Sequence, residues 1–285
     1  MNIKMAILTG ATVVVGACAP KTQEFKYTTD QFADIKIIRY QVPGWDGLTL
    51  QQKAYAYHLS EAAKYGRDIF WDQNCCHNLE LRHAIEAILN DYSGDRDCED
   101  FLAFTEYAKR VFFSNGIHHH YAEDKFFPTC SEEYFKGLLD AVGKGGEAEL
   151  LIPYVYDPQI FPQRRSTASE GDIVALSGVS FYDGVSRDEV ESYYASVADP
   201  KDPTPVAYGL NTSVVKEDGK VVEKAWKVGG IYSSAIEKIC EELQKASEYA
   251  ETESQKKALG LLIEYYHTGD LRTWDEYNIE WVKDT

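Results

Sequence analysis

Three consecutive histidines, His118, His119 and His120, stand in the stretch Ser-Asn-Gly-Ile-His-His-His-Tyr (114–121). In an extended segment the first and third side chains share a face, a geometry able to ligate a metal ion. A third ligand would have to come from elsewhere, and nothing in the sequence points to one. The other reading is a turn whose imidazoles bond to backbone or stack on aromatic rings. None of the seven histidines is followed by Glu, so the helical zinc-protease motif, two His flanking a general-base Glu, is missing. No Gly-x-Ser-x-Gly elbow occurs, and Gly143-Lys144-Gly145-Gly146 lacks the spacing of a phosphate loop. Tandem carboxylates such as Glu132-Glu133 and Glu241-Glu242 fit solvated helix faces.

Six cysteines occur, at 18, 75, 76, 98, 130 and 240, without CxxC or zinc-ribbon spacing. The adjacent Cys75 and Cys76 could pair only in a strained ring, so free thiols packed as small apolar groups are expected. Cys18 differs. Lys4 precedes an apolar stretch from Met5 to Val15, too short to span a bilayer, and Val15-Gly16-Ala17-Cys18 resembles a bacterial lipobox. The expectation is a signal peptide over 1–17, acylation of Cys18, a tether over 18–31 and a folded unit over 32–285. The chain would then sit in the bacterial cell envelope as a periplasmic or outer-membrane lipoprotein, held to the membrane by its lipid.

The net charge of −17 repels phosphate backbones and argues against nucleic-acid partners. It favours cationic ligands such as peptide amino termini. With 44% hydrophobic and 13% aromatic residues the chain is globular. Its 20 tyrosines suit either a peptide- or carbohydrate-handling surface or ordinary packing.

The elements that would position these groups make an α+β chain, mostly helical with a small strand-rich middle section. Ile35 to Val42 alternates as a strand. Thr49 and Gln52 form a capping box for a helix running towards Phe70. Asn78 is placed to cap a helix to about Asn90, and a third helix covers about 96–114, stopped by Asn115-Gly116. Ser131 caps a fourth, ending near Gly143. Leu151–Tyr156 and Ile173–Leu176 are short apolar runs. Ser186 with Glu189 opens a helix to about Val197. Val206–Val215 and Lys220–Val228 flank Asp218-Gly219 as a hairpin, with Val222, Trp226 and Val228 on one buried face. Helical patterns follow over about 231–249 and 252–267, ended by Thr268-Gly269-Asp270.

Several of these segments together resemble the bacterial dipeptidyl peptidase III family. The most distinctive is 114–121. Gly66-Arg67-Asp68-Ile69, Asp72-Gln73-Asn74, Gly209-Leu210-Asn211, Val215–Lys220, Lys227-Val228-Gly229-Gly230, Gly269-Asp270-Leu271, Thr273-Trp274 and Trp281–Asp284 extend the resemblance from about residue 32 to the end. The resemblance implies part of a two-lobed peptidase fold with a small β-barrel and a wide peptide cleft. It implies a zinc-dependent hydrolase that releases dipeptides from the amino terminus of short peptides. The family's zinc ligands lie in a His-Glu-x-x-Gly-His helix and a following Glu, neither of which this sequence contains. Zinc is therefore expected of the family, with no ligands or catalytic residues in this chain, which is predicted to be truncated before the zinc site and inactive alone. By the same resemblance Glu264 and Tyr266 would help hold the substrate's free amino group; on their own they also fit a helix end at the surface. The alternative is a non-catalytic, lipid-anchored protein that binds peptides carrying a free amino terminus.

Overall fold

The computed structural model describes residues 25–284. The expected signal segment and the lipid-accepting Cys18 lie outside the described residues. The described residues fall into two compact units, one up to Gln41 and one from Val42 on. In the first, β1 (Thr28–Phe32) and β2 (Ile35–Ile38) pair antiparallel, with a bulge between Thr28 and Asp30. The strand expected over 35–42 thus ends at Ile38, and its partner lies in the stretch expected as tether. Arg39 closes this ribbon by donating Nε to the Lys26 carbonyl at 2.8 Å and covering the Phe25 ring.

The second unit begins with the Thr49/Gln52 capping box, formed in both directions, and α1 (Leu50–Tyr65). The helix expected to run on to Phe70 breaks at Gly66, and α2 (Arg67–Asn74) starts afresh. α3 (Asn78–Asp91) is capped by His77 in the left-handed region, φ 67°, and Asn78 is its first residue rather than its cap. The Asn78 side chain is needed elsewhere. It donates to the Trp71 carbonyl at 3.0 Å and accepts from Tyr154 Oη at 2.9 Å and from the Ile117 amide at 3.3 Å. A Cβ at Gly116 would sit 2.2 Å from that amide group, so the residue opposite Asn78 has to be glycine.

α4 (Glu99–Ser114) ends on Asn115 in the left-handed conformation, as its sequence predicts. Ser131 accepts from the Tyr134 amide at the start of α5 (Glu132–Ala141). The apolar run at 151–156 belongs to α6 (Ala148–Tyr156), which carries Pro153 inside it. Helices α2 to α6 share one dry core built on Leu81, Ile85, Ile88, Phe104 and Phe135. The run at 173–176 forms only turns.

The strand-rich middle is smaller than expected. β3 (Tyr182–Asp183) runs parallel to β4 (Thr212–Glu217), which pairs with β5 (Lys220–Ala225) around Asp218-Gly219. Residues 206–211 stay outside the ladder. Val222, Trp226 and Val228 are half-buried rather than aligned on one buried face. Among the described residues the sheets are two- and three-stranded and no barrel closes. α7 (Arg187–Val197) opens on the Ser186/Glu189 capping box. Helices α8 (Ser233–Glu248) and α9 (Glu253–Thr268) pack with α1 around Ala62, Leu243, Ala246 and Leu259. α10 (Leu271–Lys283), capped by Asp270 on the Arg272 amide, follows Gly269. Among the described residues no helix is long and apolar enough to cross a membrane.

Candidate peptide groove

α2 and the start of α8 face one another across the end of the β4–β5 hairpin. Tyr232 holds them together. Its hydroxyl donates to Asp72 Oδ2 at 2.5 Å, and its backbone takes the left-handed region, φ 61°, at the turn into α8. Burial, then the Asp72 carboxylate, pushes the phenol well above its ordinary value, so it stays a donor. Ser180 ties the same corner: its hydroxyl donates to the Asp72 carbonyl at 2.7 Å and its amide to the Gln73 carbonyl at 3.2 Å. Trp226 donates Nε1 to Ser213 Oγ at 3.1 Å, and its ring lies 6.1 Å from that of Tyr232.

Two hollows meet at Tyr232. On one side is an apolar pocket of about 270 Å³, walled by Phe70, Trp226, Tyr232, Ile236, Tyr266 and Trp274 among others. On the other is a more polar pocket of about 590 Å³, with Asp72, Asp183, Lys224 and the hydroxyls of Ser177, Ser180 and Ser213 on its walls. An apolar void beside carboxylates and hydroxyls suits a short peptide.

The residues singled out in the sequence are placed unequally. Tyr266 lines the apolar pocket, with burial raising its phenol above the ordinary value. Glu264 is exposed on α9 and lines neither hollow. Two positions apart on a helix, the pair cannot point the same way. His118 pairs with Lys125 in an isolated antiparallel bridge, and the chain turns at His120. His118 is 2% exposed and its Nε2 meets the Phe161 carbonyl at 2.9 Å. His119 Nδ1 accepts from the Tyr121 and Ala122 amides, and the His120 ring packs edge-on to Phe113. The expectation of bonded and stacked imidazoles describes this stretch; the shared face does not. Among the described residues no three His, Cys, Asp or Glu side chains gather as a metal site. The described residues therefore offer no ligand set for the zinc that the resemblance implies.

Asp72 and Tyr232 carry no local signal, because 160 positions separate them. Resemblance did carry a signal. Gly66, Ile69, Gln73, Leu210, Asn211 and Trp274, from four of its segments, all line the apolar pocket.

Comparison with known proteins gives the class first. The fold is similar to part of the solved dipeptidyl peptidase III structures. The chain superposes on the structure of DPP III from Caldithrix abyssi with a TM-score of 0.53 and 20% identity, over 85% of this chain and 35% of that one. For dipeptidyl-peptidase III from Corallococcus sp. strain EGB the values are 0.54 and 17%, over 86% and 35%. The chain thus spans about a third of the length of these structures. The sequence model of Peptidase family M49 matches residues 185–285. No curated protein matches the chain. The resemblance to the dipeptidyl peptidase III family, drawn above from scattered segments, is therefore supported by sequence in the carboxy-terminal stretch and by fold over most of the chain.

Proposed function

We propose that this chain is the peptide-holding part of a dipeptidyl peptidase III-like peptidase, and that short peptides with a free amino terminus lie across Tyr232. One observation carries the reading. Leu210, Trp226, Tyr232, Tyr265, Tyr266 and Trp274, much of the apolar wall, fall within the stretch that matches the peptidase family. A bulky apolar side chain enters the hollow beside Trp226. The ammonium is assigned to Asp72 and Asp183 rather than to Glu264, which stands outside both hollows.

The sequence supports two further parts of this reading. The chemistry of dipeptide release rests on the family's zinc, for which the described residues offer no ligand set. The lipid expected on Cys18 would hold the groove at the membrane of the bacterial envelope, and Cys18→Ser should move the chain from the membrane fraction to the soluble one.

Calorimetry with a tetrapeptide carrying an amino-terminal aromatic residue, and with its acetylated form, tests the groove. The free peptide should bind about tenfold tighter, a difference of about 1.4 kcal/mol, and Trp226→Ala should weaken both. Equal binding of the two peptides, or none, overturns the proposal.

A further inference from the structure

Cys75 and Cys76 stand side by side between α2 and α3, and the fold treats them differently. Cys75 has no exposed surface, whereas Cys76 is half-buried and lines the polar pocket. The neighbouring sulfur and burial push the Cys75 thiol up, and the same neighbour draws the Cys76 thiol down, so thiolate character falls on the outer sulfur.

Beside Cys75 stands His118. With Nε2 against the Phe161 carbonyl, the ring must carry its proton there, which leaves Nδ1 a bare lone pair. That buried Nδ1 has no hydrogen-bond partner. Its neighbour Cε1 and the Cys75 sulfur both crowd Gly178, where a Cβ would lie 2.9 Å from the first and 3.0 Å from the second. Glycine leaves room for the imidazole and the inner thiol to share this space. A pocket opening, an outer thiol, an inner thiol and an unpartnered buried base therefore lie together. Nothing in the peptide groove described above uses them.

We propose that Cys75 and Cys76 are a redox-active vicinal dithiol, modified by a hydroperoxide that enters through the polar pocket. The Cys76 thiolate attacks the outer oxygen of the hydroperoxide. The O–O bond breaks, and the alkoxide takes a proton from water to leave as an alcohol. Cys76 is then a sulfenic acid. The Cys75 sulfur attacks the Cys76 sulfur, the S–O bond breaks, and the Cys75 proton departs with the hydroxyl as water. Two thiols and one hydroperoxide become one disulfide, one alcohol and one water. Adjacent Cα atoms are about 3.8 Å apart, short of the ~4.4–6.8 Å that relaxed disulfides span, so the bond is strained and readily reduced. The strain falls on the Cys75–Cys76 peptide unit, next to His77, which sits in a left-handed turn on the wall of the same pocket. Oxidation would therefore reshape that wall.

The test treats the full chain with a small excess of hydrogen peroxide, then alkylates it in denaturant and maps each cysteine by mass spectrometry. The Cys75–Cys76 peptide should lose two hydrogens and resist alkylation, and dithiothreitol should reverse this. Cys98, Cys130 and Cys240 should stay alkylatable. In Cys75→Ser, Cys76 should stop as a sulfenic acid that dimedone traps; in Cys76→Ser, Cys75 should stay reduced. Circular dichroism shows that each variant folds. If Cys76 in the wild-type chain reacts no faster than the half-buried Cys98, or if folded Cys75→Ser yields no dimedone adduct, the proposal is overturned.

Discussion

Leu81, Ile85, Ile88 and Phe104 have no exposed surface, whereas Trp226, Tyr232, Tyr266 and Trp274 stay half-buried around a void. Both regions are rich in large apolar side chains, and they use them differently. In the helices from α2 to α6 the rings pack on one another, as Phe104 does on Phe101 and Phe135 at 5.8 and 5.6 Å. Around Tyr232 the rings are held at their edges by polar bonds, Tyr232 to Asp72 and Trp226 to Ser213, and they also line a void. The first arrangement turns buried area into stability. The second keeps apolar area available to a ligand and spends hydrogen bonds to hold it there.

The largest effect that can break this contrast is in the core. Phe104→Ala should cost about 4 kcal/mol in chemical unfolding, because the dry helices cannot collapse around the gap. A loss of under about 1 kcal/mol would place the core elsewhere. Next comes acid sensitivity beside the core. Burial lowers His118 from 6.5 to about 4, so the fold holds it neutral while the unfolded chain takes up a proton first. Its contribution is complete above pH 6.5 and is lost as pH falls towards 4. His118→Gln should flatten the stability profile in that window, and an unchanged slope would contradict the burial. In the groove, Tyr232→Phe should cost only about 1–2 kcal/mol, since a single charge-assisted bond at a half-buried site is lost, yet it should clearly weaken peptide binding. The smallest effect is expected at the exposed Glu264. Glu264→Gln should change stability by less than about 0.5 kcal/mol and leave peptide affinity as it was.

Local signals made much of the fold legible. Capping boxes at Thr49/Gln52 and Ser186/Glu189, the left-handed Asn115 and the Asp218-Gly219 hairpin mark their elements because each acts within four residues. Asn78 misled for the opposite reason: a residue type suited to a cap is used over 7 to 76 positions to tie Trp71, Ile117 and Tyr154 together. α10 has an Asp270 cap and apolar residues at 271, 274 and 277, a helical pattern present in the sequence. The groove was legible only in pieces. Trp226 and Tyr266 were visible as aromatic residues in the right segments, but the Asp72–Tyr232 bond that makes a groove of them is a tertiary fact.

Hydrogen exchange of the full chain with and without a saturating tetrapeptide compares the two regions directly. Amides of Phe70–Gln73 and Trp226–Ile236 should exchange more slowly when the peptide is bound, while those of Phe101–Val111 keep their rates. Protection confined to other segments, or none at a peptide concentration that calorimetry shows to be saturating, would contradict a groove centred on Tyr232.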